Sequence, residues 1–132
     1  MATLLLKSDE TASAEALAVF NDIRSKRNTD YVNNFWRALA NHPAQLEATW
    51  ERLQQVMGPG ALDPLVKEMI YIAVSVANNC SYCVHSHTAA ARAKGMTSEQ
   101  HGELISVITM ASQTNALATA MQLDVDERFL VK

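Results

Sequence analysis

Cys80 and Cys83 stand three residues apart and are the two cysteines of this 132-residue chain. They follow Asn78-Asn79, which is predicted to end one helix and begin the next, so both thiols fall on the opening turn of the new helix. Residues three apart share a helix face, which lets the two sulfurs approach and oxidise to a disulfide. The amides of a first turn lack intrahelical acceptors and the helix dipole is positive there, and both effects favour thiolate over thiol. This spacing therefore predicts thiols that react near neutral pH.

Two further residues are placed to assist these thiols. His87 lies four residues after Cys83, one turn along the same face, where its imidazole can take a proton from the thiol or stabilise the thiolate. His85 is two residues from Cys83, on a different side, and ranks well below His87. Glu68 lies in the second turn of a nearly all-apolar helix, on a row that leads to the break before Cys80. Partial burial there is expected to raise its pKa unless a cation or donor meets it, and such a carboxyl can end a proton relay.

The residues alone leave three interpretations open, because a Cys-x-x-Cys pair serves redox chemistry, binds a metal or remains inert. Zinc is the second interpretation, with ligands Cys80, Cys83 and His87 and a fourth from Glu68 or His85. Structural zinc sites, however, usually draw their ligands from two separated segments. In the third, the apolar helix builds an oligomer and the thiols are idle. A covalent haem is disfavoured because valine, not histidine, follows the second cysteine, and a thioredoxin fold is disfavoured because no βαβ pattern surrounds the pair.

The elements that position these residues are all predicted to be helical. Helical periodicity runs through almost every segment, and no convincing strand alternation is present, so we expect an all-α bundle of about six helices. The predicted helices run over about 13–27, 31–40, 43–57, 64–77 and 80–94, then one that begins after the Thr97 cap and a last one that carries Leu117 and Met121. Asp63-Pro64 predicts the start of the fourth helix, and Gly95 predicts the end of the fifth.

Length and composition predict one domain, residues 1–132, with an aliphatic core. The chain is 48% hydrophobic and 6% aromatic with a formal net charge of -3, and its basic residues are scattered, so nucleic acid and anionic membranes are not expected partners. Residues 1–7 carry only three consecutive leucines, and the apolar run 69–77 is too short to cross a bilayer. We therefore expect a cytoplasmic protein, a compartment in which a structural disulfide is not expected.

Residues 63–68, Asp-Pro-Leu-Val-Lys-Glu, and 77–87, Ala-Asn-Asn-Cys-Ser-Tyr-Cys-Val-His-Ser-His, resemble the alkylhydroperoxidase D-like branch of the carboxymuconolactone decarboxylase superfamily. Its members share a glutamate, a Cys-x-x-Cys twelve residues later and a histidine four residues after the second cysteine. The residues that match in register are Glu68, Cys80, Cys83 and His87. The resemblance covers about 31–121, with the helix at about 13–27 expected to pack on that core. Tyr82 stands where better-studied peroxidase members often carry a histidine.

The resemblance implies an all-helical homo-oligomer, a trimer or a hexamer, without a cofactor. It also implies thiol-dependent reduction of a peroxide or organic hydroperoxide, or of a partner peroxiredoxin, with a dithiol protein as electron donor. The cysteine pair argues against lactone decarboxylation, because the decarboxylating members lack it. On this reading we expect Cys83 to attack the peroxide and Cys80 to condense with the resulting sulfenic acid. His87 would act as the base, and Glu68 would tune it.

Overall fold

The computed structural model describes residues 1–131, and within them the secondary structure is helical, with no strand. The six α-helices are α1 (Ala14–Arg27), α2 (Asn34–Leu39), α3 (Pro43–Met57), α4 (Pro64–Ala77), α5 (Ser81–Ala93) and α6 (Ser98–Met121). A short 3₁₀ helix, Glu127–Phe129, follows them. The prediction of an all-α chain with about six helices is confirmed. The chain divides into two compact units, one from Met1 to Gly58 and the other beginning at Pro59.

The first unit packs α1 and α2 against α3 around an aromatic centre. The indole rings of Trp36 and Trp50 meet edge to face, with centroids 5.3 Å apart. Trp50 Nε1 donates a hydrogen bond of 2.7 Å to Asp22 of α1, so the polar end of this buried ring is satisfied. The core of this unit comprises Ala16, Val19, Phe20, Ile23, Val32, Trp36, Ala40, Leu46 and Trp50.

The second unit packs α4 against both α5 and α6. Asp63 caps α4 by accepting a hydrogen bond of 2.8 Å from the Leu65 amide, which confirms the predicted start of this helix. The buried core of the unit is small and consists of Ile72, Ala91, Met96 and Ile108. Two polar side chains, Glu68 and Ser75, are buried beside it on the same helix.

The breaks around α5 follow the predicted signals. Asn79 has a φ of 55°, in the left-handed region that asparagine tolerates, and it turns the chain between α4 and α5. Gly95 has a φ of 95° and ends α5. Thr97 and Gln100 then form a reciprocal capping box for α6, with hydrogen bonds of 3.0 and 2.9 Å. These turns fix where the face of α5 that carries the thiols begins and ends.

The prediction of two helices after Thr97 is wrong, because α6 is one continuous helix of 24 residues. The polar run 112–115 does not break it, since the hydroxyls of Ser112 and Thr114 bond back to the carbonyls of Ile108 and Met110 at 2.9 and 3.1 Å. Even at this length, α6 is not apolar enough to cross a membrane, nor is any other helix among residues 1–131.

Two glycines next to and within α6 should respond oppositely to a methyl group. Gly95→Ala should lower the free energy of unfolding by about 1 kcal/mol, because an L-residue is strained at its positive φ although the space around it is open. Gly102→Ala, in the exposed face of α6 with the same open space, should raise the free energy of unfolding by about 0.5–1 kcal/mol. Urea unfolding of both variants measures this, and changes of the same sign would contradict the assignment.

Candidate active site

Glu68 is a carboxylate buried in an apolar helix. Its residue exposure is 4%, and it shares the buried row of α4 with Ile72 and Ser75, four and seven residues further on. The Ser75 hydroxyl is satisfied within the helix, since it donates to the Tyr71 carbonyl at 2.7 Å. Glu68 is therefore the group on this row whose polar atoms must find partners on a neighbouring helix.

Both carboxylate oxygens of Glu68 find partners on the α5 side. Oε2 lies 2.7 Å from His87 Nδ1, and Oε1 accepts a hydrogen bond of 2.9 Å from Lys94 Nζ. Burial is the largest influence on the Glu68 pKa and raises it, but the hydrogen bonds and charges of His87 and Lys94 together outweigh burial and hold the pKa below its usual value of 4.5. A cation and a donor do meet this carboxyl, so the raised pKa that burial alone predicts does not occur and Glu68 is ionised at neutral pH.

His87 is held in two directions by residues of α4. Glu68 accepts from its Nδ1, and the Tyr71 ring stacks on the imidazole with centroids 3.5 Å apart and an interplanar angle of 19°. A neutral imidazole facing an ionised carboxylate must donate from Nδ1, so its lone pair is at Nε2. Burial raises the pKa of the Tyr71 hydroxyl, and negative charge on the two cysteines and on Glu68 raises it further. Tyr71 therefore stays a neutral donor within electrostatic range of both sulfurs.

The two thiols are free, half-buried and unequal in charge. Cys80 is the N-cap of α5, and its Sγ accepts a hydrogen bond of 3.3 Å from the Cys83 amide. The hydrogen bond from the Cys83 thiol, and then that amide bond, lower the pKa of Cys80 below its usual value of 9.0. Burial, and then the hydrogen bond and charge of Cys80, raise the pKa of Cys83 to about 11. The first-turn effect that favours a thiolate thus acts on Cys80, whereas burial and the neighbouring charge oppose a second thiolate at Cys83.

The predicted site residues form two pairs on the same helix hairpin. Glu68 contacts His87, and Cys80 contacts Cys83. Helical spacing places His87 one turn beyond Cys83, although no direct hydrogen bond joins the two among residues 1–131. His85 is exposed, in line with its low rank.

The zinc interpretation lacks a converged ligand set. Within residues 1–131, no group of three or more His, Cys, Asp and Glu side chains could hold a metal ion. Both oxygens of Glu68, one candidate for the fourth ligand, are already bound to His87 and Lys94.

Two residues of the site were not identified from the sequence. They are Lys94, the C-cap residue of α5, and Tyr71, whose ring stacks on His87. A signal for each was present, since Lys94 lies seven residues after His87 and Tyr71 three residues after Glu68, spacings that share a helix face. Neither spacing shows which face meets the neighbouring helix.

Comparison with known proteins relates the chain to one family. The model of the carboxymuconolactone decarboxylase family matches residues 43–126. The crystal structure of the alkylhydroperoxidase AhpD core from Rhodospirillum rubrum is 61% identical, covers 100% of this chain and 99% of its own, and superimposes with a TM-score of 0.96.

Two curated proteins are also similar to parts of the chain. The alkyl hydroperoxide reductase AhpD of Solibacter usitatus is 30% identical over 98 residues, which are 72% of this chain and 54% of that protein. The uncharacterized protein 4 in the cox locus of Paracoccus denitrificans is 40% identical over 50 residues, 38% of this chain and 45% of that protein. The chain thus spans about half the length of these curated relatives.

The opposite pKa shifts of Cys80 and Cys83 predict that the two thiols are alkylated at different pH. As pH rises from neutral, iodoacetamide should label Cys80 first and Cys83 only as pH approaches about 11, because the thiolate is the reactive form. Peptide mass spectrometry after short pulses at each pH measures the two rates. Cys83→Ala should shift the labelling of Cys80 to higher pH, since it removes the donor that stabilises the Cys80 thiolate, whereas Cys83→Ser retains a donor and should shift it less. Equal labelling of both cysteines at neutral pH would contradict this charge assignment.

Proposed function

Since this chain belongs to the carboxymuconolactone decarboxylase family, in its alkylhydroperoxidase AhpD-like branch, we propose that it is a thiol-dependent antioxidant enzyme that reduces peroxides. One observation carries the proposal. A reduced Cys80–Cys83 pair with one stabilised thiolate opens the same helix that brings His87 to a buried, ionised Glu68. The cysteine pair provides a nucleophile and a resolving thiol, and His87, bound to Glu68, provides a base.

In the first step, the Cys80 thiolate attacks an oxygen of a hydroperoxide. A sulfur–oxygen bond forms and the oxygen–oxygen bond breaks, so the sulfur becomes a sulfenic acid and the peroxide leaves as an alkoxide that takes a proton from water. This order reverses the expectation from the sequence, in which Cys83 attacks the peroxide first. The reason is that Cys80 Sγ accepts from the Cys83 amide, which helps to lower the Cys80 pKa, whereas burial raises the pKa of Cys83, so Cys80 is the more acidic thiol.

In the second step, Cys83 condenses with the sulfenic acid. Oxidation removes the negative charge of Cys80, one of the causes that hold the Cys83 pKa high. His87 then takes the Cys83 proton at Nε2 while Glu68 stabilises the imidazolium through Nδ1. The Cys83 thiolate attacks the sulfenic sulfur, a disulfide forms, and the departing hydroxide takes the proton back from His87 and leaves as water.

The catalytic cycle closes by thiol–disulfide exchange. A dithiol donor protein attacks the Cys80–Cys83 disulfide, passes through a mixed disulfide and leaves oxidised, which restores both thiols. A partner peroxiredoxin disulfide is the alternative oxidant, and the chain would then relay electrons from the donor to that partner. We also propose that the reaction takes place in the cytoplasm, where the disulfide that forms in each cycle can be reduced again.

Single cysteine variants test the reaction and its order. One equivalent of cumene hydroperoxide should convert the two thiols of the wild-type chain into an intramolecular disulfide, seen by mass spectrometry. Cys83→Ser should still consume peroxide but stop at a sulfenic acid on Cys80 that dimedone traps. Cys80→Ser should consume peroxide at least about tenfold more slowly, because burial still raises the pKa of the remaining Cys83 thiol after the Cys80 thiolate is removed.

The outcomes separate the order from the function. Peroxide consumption lost in Cys83→Ser and kept in Cys80→Ser would restore the opposite order while leaving the proposed function intact. If wild-type protein, offered hydrogen peroxide or cumene hydroperoxide and dihydrolipoamide, neither forms the disulfide nor oxidises the donor, the peroxidase function is wrong.

We also propose that the chain works as a homo-oligomer. Across its 24 residues, α6 buries only Ile108. On α4, Val66, Ile70 and Val74 are 41–52% exposed at four-residue spacing, which forms one apolar ridge. Apolar faces of this extent mark interaction surfaces, and association of copies through them would bury the ridge.

Mass measurement tests the assembly. Light scattering should give three or six times the chain mass of 14.5 kDa, as expected for a trimer or a hexamer. Ile70→Glu should reduce the mass because it places a charge on the ridge. Ala44→Glu, an equal change of charge at an exposed position of α3, should leave the mass unchanged. A wild-type mass of 14.5 kDa would show that the chain is a monomer.

A further inference from the structure

Lys94 donates a hydrogen bond to Oε1 of Glu68, while His87 contacts the other carboxylate oxygen, Oε2. It is the C-cap residue of α5, and its Nζ lies 2.9 Å from Oε1. We propose that Lys94 is a positioning residue of the relay, which keeps Glu68 a carboxylate and thereby fixes the His87 proton on Nδ1. Its effect on catalysis rests on the proposed function, whereas its effect on Glu68 and His87 does not.

The first support is the directionality of the two hydrogen bonds. An ammonium group has donors and no acceptor, so Oε1 must accept from Lys94. A carboxylate accepts at Oε2 as well, and His87 then donates from Nδ1 and keeps its lone pair at Nε2. A protonated Glu68 could instead donate from Oε2 to Nδ1. The imidazole proton would then lie on Nε2, and the base facing away from Glu68 would be lost.

The second support is the balance of burial against charge. The side chain of Glu68 is 6% exposed, and burial is the largest influence raising its pKa. The main opposing groups are His87 and Lys94, both from the α5 side, and α6 supplies none of the main charges. Tyr71 of α4 is neutral and responds to the Glu68 charge. His87 donates from Nδ1 throughout, but its charge changes when Nε2 gains and loses a proton during the proposed reaction, so Lys94 is the partner whose positive charge is constant.

The third support is the register of α5. His87, Ala91 and Lys94 follow at intervals of four and three residues and share one face, and Ala91 between them is fully buried. Lys94 itself is 39% exposed, so its charge remains partly hydrated while the carboxylate it binds is not. Arg92 lies in the same last turn of α5, is exposed and has no contact with Glu68 among the hydrogen bonds and ion pairs of residues 1–131, which makes it a matched cation for comparison.

The test compares Lys94→Met, Lys94→Arg and Arg92→Met in the reduced protein without peroxide. In ¹³C NMR, Lys94→Met should move the titration of the Glu68 carboxyl up by at least about one pH unit, the size expected when an opposite charge in contact is removed. In ¹⁵N NMR over the pH range in which Glu68 of Lys94→Met titrates, Nδ1 of wild-type His87 should stay protonated, whereas Nδ1 of His87 in Lys94→Met should lose part of its proton to Glu68. Glu68→Gln and His87→Asn assign the signals.

Step-resolved kinetics add a readout that a loss of packing alone would not give. In Lys94→Met, sulfenic acid formation on Cys80 should be unchanged, and the following condensation with Cys83 should slow by about tenfold, because only that step uses the base. Lys94→Arg should restore the condensation rate, since it keeps a charged donor. Arg92→Met should behave as wild type in every measurement.

The results decide between distinct conclusions. Unchanged Glu68 and His87 signals in Lys94→Met, or the same shifts in Arg92→Met, would overturn the role of Lys94. Circular dichroism checks folding, and Lys94→Gln replaces Lys94→Met if the methionine variant is not helical. If the wild-type protein does not react with peroxide, the proposed function fails, while the NMR shifts still decide whether Lys94 controls Glu68 and His87.

Discussion

The ionised carboxylate of Glu68, buried within an apolar helix, is the constraint on which the second unit depends. An unpaired charge in such a place costs several kcal/mol, so the neighbouring helix must bring donors to both of its oxygens. His87 and Lys94 do this from two turns of α5, at 2.7 and 2.9 Å. Because these two contacts lie seven residues apart along the chain, they fix both the register and the rotation of α5 against α4. Among residues 59–131, the core around them has four buried residues with partly buried apolar side chains packed against it, so the polar contacts add specificity to the apolar packing.

Once that register is set, the beginning of α5 follows. Asn79 turns the chain at a positive φ, and Cys80 occupies the N-cap position, where an oxygen-bearing side chain is usual. Its sulfur takes over the capping role by accepting from the Cys83 amide. The same interaction that begins the helix therefore stabilises the thiolate, and local folding and reactivity share one set of atoms.

Much of this arrangement could be read from spacing. The buried row of α4, the break before Cys80 and the cap at Thr97 each depend on residues close together in sequence, and these predictions are confirmed. The contact of Lys94 with Glu68 joins residues 26 apart and depends on how two helices pack, which periodicity does not specify. The high pKa of Cys83 depends on burial and on a neighbouring charge, two properties of the folded hairpin. The continuity of α6 was not predicted, because its Ser and Thr hydroxyls donate to carbonyls of the same helix. Composition alone does not show whether such side chains break a helix or bond back to it.

The two halves of the site divide the proposed chemistry between successive steps. While Cys80 is a thiolate, burial and then the hydrogen bond and charge of Cys80 keep the proton on Cys83, and His87 would have no acidic thiol from which to take a proton. In the proposed reaction, oxidation of Cys80 would remove that charge while burial remains, and the Cys83 proton would be easier to transfer to the imidazole one helical turn away. The oxidation state of Cys80 would then determine when His87 acts as a base. The ionised state of Glu68 at neutral pH suits this order of steps. His87 needs its carboxylate partner before it takes the Cys83 proton.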